Sequence, residues 1–197
     1  MLLNDLRLRA LEPFVLDYAA ALTGTTIAKR LGLNQKSVAT ALAQLEADGF
    51  LKSAASGKNR LFSLNLDDAA MIAHFLAALE HLRTIRFFEK HPLVKEIATK
   101  LPCSGSVLIF GSYAKGTETA DSDLDLFVAG SCDRAAASRL SEAYHLPISI
   151  KAYPPAAFAS ALRRGDILLN EVRKSHIVLS GAQAFATTIL RSVHGKD

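Results

Sequence analysis

The stretch Val107 to Val128, VLIFGSYAKGTETADSDLDLFV, limits what this chain can become more than any other. It opens on Val107-Leu108-Ile109-Phe110, an apolar, β-branched run with the character of a buried strand. Gly111-Ser112 follows at the point where a strand would turn into a helix. Ten residues after Ser112 comes Asp123-Leu124-Asp125-Leu126-Phe127-Val128, a second strand with carboxylates at i and i+2. Side chains alternate across a strand, so Asp123 and Asp125 share one face while Leu124, Leu126 and Val128 turn to a core.

Two adjacent carboxylates form a hard, oxygen-rich site suited to Mg²⁺ (or Mn²⁺), which favours carboxylate plus substrate phosphate over an all-protein cage. The two acids repel each other, and a divalent ion relieves that repulsion. Gly111 lets the backbone approach a ligand. Ser112 offers a hydroxyl and an N–H at a helix start, where phosphate is favoured. The combination predicts a metal-bound nucleoside triphosphate, its phosphates on Gly111-Ser112 and its metal on Asp123 and Asp125. Taken singly, an acidic pair alternating with leucines is the solvent face of a strand, and a Gly-Ser is a turn. Their union in one short window separates this chain from those cases.

The window resembles the signature of the nucleotidyltransferase superfamily related to DNA polymerase beta, in particular its minimal nucleotidyltransferase members. That pattern is Gly-Ser, ten residues, then Asp-x-Asp, met here by Gly111, Ser112, Asp123 and Asp125 with Ala114, Gly116, Ser122 and Leu126 as neighbours. The resemblance implies an α/β nucleotidyltransferase fold with a small mixed sheet. It also implies catalytic and metal-binding roles for Asp123 and Asp125. In catalytically active relatives a third carboxylate commonly stands on the following strand. Here Pro147 to Ala152 is that strand, and its inward candidates are Ser149 and Lys151, neither of them a replacement for a carboxylate. Asp166 and Glu171 on a later helix are read as a helix cap and a solvated charge. Lys115 either touches the triphosphate or is a solvated lysine in a polar loop, and Tyr113 either stacks or donates its hydroxyl.

The chain has 197 residues, enough for one large or two small domains. No apolar run approaches a membrane span and no signal-peptide pattern opens the chain. Cys103 and Cys132 show neither metal-ligand spacing nor a disulfide framework, and a cytoplasmic protein is expected. The net charge is +4, and residues 25–66 hold all of it: Lys29, Arg30, Lys36, Lys52, Lys58 and Arg60 against Glu46 and Asp48. A local basic patch points to nucleic acid.

Before that window, the periodicity predicts a helix from about Asp5 to Ala21, with Pro13 as its possible start, and a short helix stopping at Gly32. A third helix, Gln35 to Ala47, is capped by Asn34. A β-hairpin follows from Phe50 to Leu66 with its turn at Ser56-Gly57-Lys58-Asn59. This stretch resembles the winged helix-turn-helix domains of prokaryotic transcriptional regulators. The resemblance implies an all-α/winged-helix (α+β) domain over residues 1–66. Gln35, Lys36, Ser37 and Thr40 would face the DNA major groove, with Lys58 and Arg60 of the wing on phosphate. Residues 67–102 are expected to form a helical connector or dimerisation region, and 103–197 the nucleotidyltransferase domain. His74 and His81 on the long connector helix lack partners for a metal site. After the Asp-x-Asp strand, Gly130 is expected to end the element.

Two functions fit these readings. One is a DNA-binding nucleotidyltransferase that moves a nucleoside monophosphate, with ATP as the expected donor, onto a hydroxyl of a small molecule or of a protein such as a toxin partner. Such a protein would serve as an antitoxin or autoregulator, with a homodimer expected. The alternative is a transcriptional regulator whose degenerate nucleotidyltransferase domain senses nucleotide or docks a partner.

Overall fold

The computed structural model describes residues 5–194. Helix α1 (Leu6–Leu16) starts at Asp5, whose carboxylate accepts the Arg7 N–H at 2.8 Å, and it carries Pro13 within it. It stops well short of Ala21. The Asp17 side chain accepts the N–H of Ala19 at 3.1 Å, a local bond that competes with further helix. Strand β1 (Leu22–Thr23), which the sequence did not suggest, leads into α2 (Gly24–Leu31), capped by Thr23 and ended by left-handed Gly32. Helix α3 (Gln35–Ala47) is capped by Asn34 as expected. Strands β2 (Leu51–Ser56) and β3 (Asn59–Leu64) pair antiparallel around Gly57-Lys58, and β1 adds to β3, giving the order β1-β3-β2.

The long helix α4 (Ala69–Lys90) begins at Asp68, which accepts the Met71 N–H. Pro92 opens α5 (Pro92–Lys100), where a missing N–H costs nothing. The second sheet has the order β6-β5-β4-β7. In it β4 (Cys103–Phe110) pairs antiparallel with β5 (Leu124–Cys132), β6 (Ile148–Tyr153) lies parallel to β5, and β7 (Ile177–Ser180) antiparallel to β4. The helices that join and flank these strands are α6 (Gly111–Lys115), α7 (Arg134–Tyr144), α8 (Pro155–Arg164), α9 (Ile167–Lys174) and α10 (Ala182–His194). The parallel β5–β6 pair needs a crossover, and α7 supplies it.

Strand β5 does not end at Gly130. Gly105 lies opposite it across the ladder, and a side chain on either residue would run into the other strand's backbone, so the glycine pair lets the ladder continue. At its far end Cys103 and Cys132 face each other with α-carbons 4.0 Å apart and are joined by a disulfide. That corrects the reading of two unrelated cysteines: antiparallel register, not spacing, brings them together.

The sheet is covered on both faces. Val107, Ile109, Leu124, Leu126 and Val128 bury against Val94 and Ile97 of α5 and Ala136 and Ala137 of α7. Leu108, Phe110, Phe127 and Ala129 face the other way, onto Phe158 of α8 and Phe185 and Ile189 of α10. This second core continues without a break through Leu76 of α4 to Phe14, Ile27, Val38 and Leu42 near the N-terminus. Helix α4 packs against α10, β7 and α1 with one face buried, and Met71 and Ile85 on it remain exposed.

Candidate functional site

The antiparallel register pairs Phe110, the last residue of β4, with Asp125 of β5, so the turn at Gly111-Ser112 and the carboxylate meet by construction. Gly111 has φ +71°, a left-handed value that disfavours any side chain. A methyl at Gly111 would also collide with Asp125 Oδ2. The glycine thus does two things at once: it turns the chain and leaves room for the acid. Leu124 and Leu126 lie in the core below, which leaves Asp125 half-buried on the opposite face and Asp123 exposed just before the strand.

The loop leading to Asp123 is tied as a tight turn. Thr119 N–H donates to Ser122 Oγ at 2.9 Å and Ser122 N–H to the Thr119 carbonyl at 3.1 Å. The following Leu124 N–H donates to the Pro147 carbonyl at 2.7 Å, anchoring the strand's start beside β6. Helix α6 is only five residues long and ends at left-handed Gly116. Its dipole is therefore slight, and Ser112 offers its amide and hydroxyl more than a helix field.

Burial pushes the Asp125 carboxyl above its usual range, and the neighbouring Asp123 adds to that. A hydrogen bond from Ser149 opposes the shift; Glu171 reinforces it and Lys151 lowers it. Ser149 stands opposite Asp125 in the parallel ladder, and Lys151 is opposite Phe127. The strand where a third carboxylate was sought therefore gives Asp125 a hydroxyl and a cation instead. Two mutually repelling acids, one partly desolvated beside an open glycine, have the donor chemistry of a divalent-ion site. Among the described residues no group of three or more His, Cys, Asp or Glu side chains gathers into a metal cluster.

Asp166 caps α9, accepting the Leu169 N–H at 3.1 Å, as read from the sequence. Glu171 is not the free, solvated charge expected of it: its Oε1 lies 2.5 Å from Lys115 Nζ. Lys115 is correspondingly engaged. Tyr113 packs edge-on to His91 with ring centroids 5.8 Å apart. His91 in turn faces Glu118, its Nε2 3.6 Å from a carboxylate oxygen.

At the other end of the chain, Gln35, Lys36, Ser37 and Thr40 lie exposed on the first turns of α3, and Lys58 is exposed at the hairpin tip. Arg60 is turned back onto the sheet. It donates to Glu46 at 2.7 Å and to Ser53 at 2.6 Å and lies over the Phe62 ring, while its side chain stays largely exposed.

A buried polar cluster went unnoticed in the sequence. The Glu80 carboxylate, fully buried on α4, accepts from Tyr18 Oη at 3.0 Å and Arg83 at 2.7 Å and meets His176 Nε2 at 2.8 Å. His176 Nδ1 lies 2.8 Å from the Val172 carbonyl oxygen, so each ring nitrogen faces an oxygen atom. Burial alone would raise the Glu80 carboxyl, but His176, then Arg83 and Tyr18, outweigh it and hold the group below its usual range. The same cluster pushes Tyr18 well up, through burial and then the Glu80 charge. The only hint in the sequence was a glutamate on the apolar stripe of a long helix.

Residues 92–175 match the family model described as the nucleotidyltransferase domain, a segment that holds Gly111, Ser112, Asp123, Asp125 and Glu171. The match supports the nucleotidyltransferase superfamily for this part of the chain. The mixed α/β arrangement around the four-stranded sheet is consistent with that fold. No curated protein and no solved structure matches the chain. No helix among the described residues is long and apolar enough to cross a membrane.

Proposed function

We propose that this protein is a DNA-binding nucleotidyltransferase that moves a nucleoside monophosphate, with ATP as donor, onto a hydroxyl of a protein or small-molecule acceptor. The observation that carries the first half is the placement of Asp125 over Gly111 with Asp123 beside it, inside the segment matching the nucleotidyltransferase domain. Asp123 and Asp125 would hold a divalent ion, Mg²⁺ or Mn²⁺, which neutralises phosphate charge and orients the triphosphate. Gly111 and the Ser112 amide and hydroxyl receive phosphate oxygens, and Lys115 adds a cation to them. The acceptor hydroxyl gives its proton to solvent as its oxygen bonds to the α-phosphorus, the bond to the bridging oxygen breaks and pyrophosphate leaves. Positioning and charge neutralisation supply the acceleration.

For the second half, the support is the order α1-β1-α2-α3-β2-β3, which is that of a winged helix-turn-helix, together with the exposure of Gln35, Lys36, Ser37, Thr40 and Lys58. In this reading α3 enters the major groove and the hairpin lies along the backbone. A protein acceptor, for example a toxin partner, suits a reader of its own promoter, and a homodimer suits a two-fold operator. The cytoplasm is the proposed location.

Ser149 and Lys151, where active relatives commonly carry an acid, favour a second reading: a regulator that binds nucleotide without turnover. Calorimetric titration of MgATP into the wild type and Asp123→Asn tests the shared core of both. Binding by the wild type alone supports the site. No binding of ATP or of the other triphosphates by either protein removes it, and incorporation of labelled nucleotide into an acceptor separates the two readings.

A further inference from the structure

Lys115 follows the Gly-Ser turn and Glu171 sits 56 residues later on α9, yet the two side chains make a direct ion pair. Resting on the nucleotidyltransferase reading above, we propose that Glu171 is a built-in competitor for the substrate's phosphate. Its carboxylate occupies Lys115 in the free protein and has to release it before a nucleoside triphosphate can engage that lysine.

Helix α9 is a fixed support for this acid. Leu169 and Val172 are buried, Asp166 caps the first turn, and the Val172 carbonyl is bonded by His176. Arg173 reaches Asp17 near the end of α1, with 3.9 Å between their charged atoms. The backbone beneath Glu171 therefore stays where it is, and only the side chain has to swing. The pair itself is half-open to solvent, 47% and 41% exposed for the two side chains, and such pairs are weak enough to exchange. A carboxylate and a phosphate oxygen present the same kind of charged acceptor to an ammonium group, but a triphosphate brings several.

Charge around the site points the same way. Three acids, Asp123, Asp125 and Glu171, belong to the site as proposed, the last of them held on Lys115. An incoming polyanion meets those acids, and Lys115 is a cation beside the Gly-Ser turn already held by one of them. The latch lowers affinity for nucleotide and sets a threshold concentration for loading the site.

The test is MgATP titration by calorimetry into the wild type, Glu171→Gln, Lys115→Ala and the double variant. Glu171→Gln is expected to bind about two- to fivefold tighter, the range an exposed ion pair is worth. Lys115→Ala binds more weakly, and adding Glu171→Gln to it restores nothing. Equal or weaker binding by Glu171→Gln overturns the latch, as does an equal gain in the Lys115→Ala background, which would be charge repulsion alone. Thermal unfolding of the same four proteins without nucleotide gives an independent reading. Coupling between positions 115 and 171 is expected, and its absence overturns the latch while leaving the nucleotide site standing. If none of the four binds any triphosphate, the nucleotidyltransferase reading falls and the latch with it, whereas binding by Glu171→Gln alone supports a latch that is closed in the wild type.

Discussion

The carboxylate of Asp125 occupies the space that a side chain at residue 111 would need, so Gly111 and Asp125 are fitted to each other across β4 and β5. Gly111→Ala is therefore expected to displace Asp125 and abolish MgATP binding, and to cost about 1–2 kcal/mol in urea unfolding from its left-handed backbone. Gly116→Ala is the control. Its φ of +66° is nearly the same, but nothing lies within 4 Å of an added methyl. It should show a similar loss of stability and keep its nucleotide affinity. Matching losses of affinity in both would mean that backbone strain, not the fit to Asp125, is what matters.

The buried cluster at Glu80 predicts an acid limb. The folded-state carboxyl is held below its unfolded value of about 4.5, so its stabilising contribution is present above that pH and is lost as pH falls through the folded value. Asp125 runs the opposite way: its raised carboxyl takes up protons more readily in the folded state, so its contribution falls as pH rises past about 3.8. Unfolding free energy measured between pH 3 and 7 should lose part of its acid slope in Glu80→Gln and steepen in Asp125→Asn. Glu80→Gln should also cost about 3–5 kcal/mol at neutral pH, since it leaves His176 and Arg83 facing a neutral amide.

The disulfide between Cys103 and Cys132 closes a loop that contains Gly111, Ser112, Asp123 and Asp125. Cross-linking residues 29 apart removes enough unfolded-state freedom to stabilise the protein by about 3.6 kcal/mol. A reductant, or Cys103→Ser with Cys132→Ser, should lower the Tm by several degrees while MgATP affinity stays unchanged. An unchanged Tm would show that the bond does not brace the loop in solution.

If the hairpin lies along nucleic acid, Lys58 and Arg60 part company. Lys58→Ala should weaken binding of duplex DNA and shallow the dependence of log K on log salt by about one unit, as loss of one phosphate contact does. Arg60→Ala should instead act on the hairpin, because the guanidinium is bonded to Glu46 and Ser53. Fluorescence anisotropy across a salt series separates them, and equal slopes for both variants would return Arg60 to the interface.

Much of this was legible in the chain. The strand at 107–110, the hairpin turn at Gly57-Lys58 and the caps Asn34 and Asp166 follow from periodicity and local hydrogen bonding. What escaped depends on partners distant in sequence. Lys115 finds Glu171, Cys103 finds Cys132, and Glu80 finds His176, each through sheet register or helix packing that no local window contains. Arg60 likewise meets Glu46 of α3 across 14 residues, a partner that a basic residue beside a turn does not announce.

The unbroken apolar cluster from Phe14 and Leu42 through Leu76 to Phe127 and Ile189 bears on how the chain comes apart. Ile72 and Leu76 of α4 are buried in the same cluster as the N-terminal helices and the four-stranded sheet, so loosening either part strips apolar neighbours from the other. Heat or denaturant is therefore expected to melt the front and the back of the molecule in one cooperative step, without a half-folded form between them.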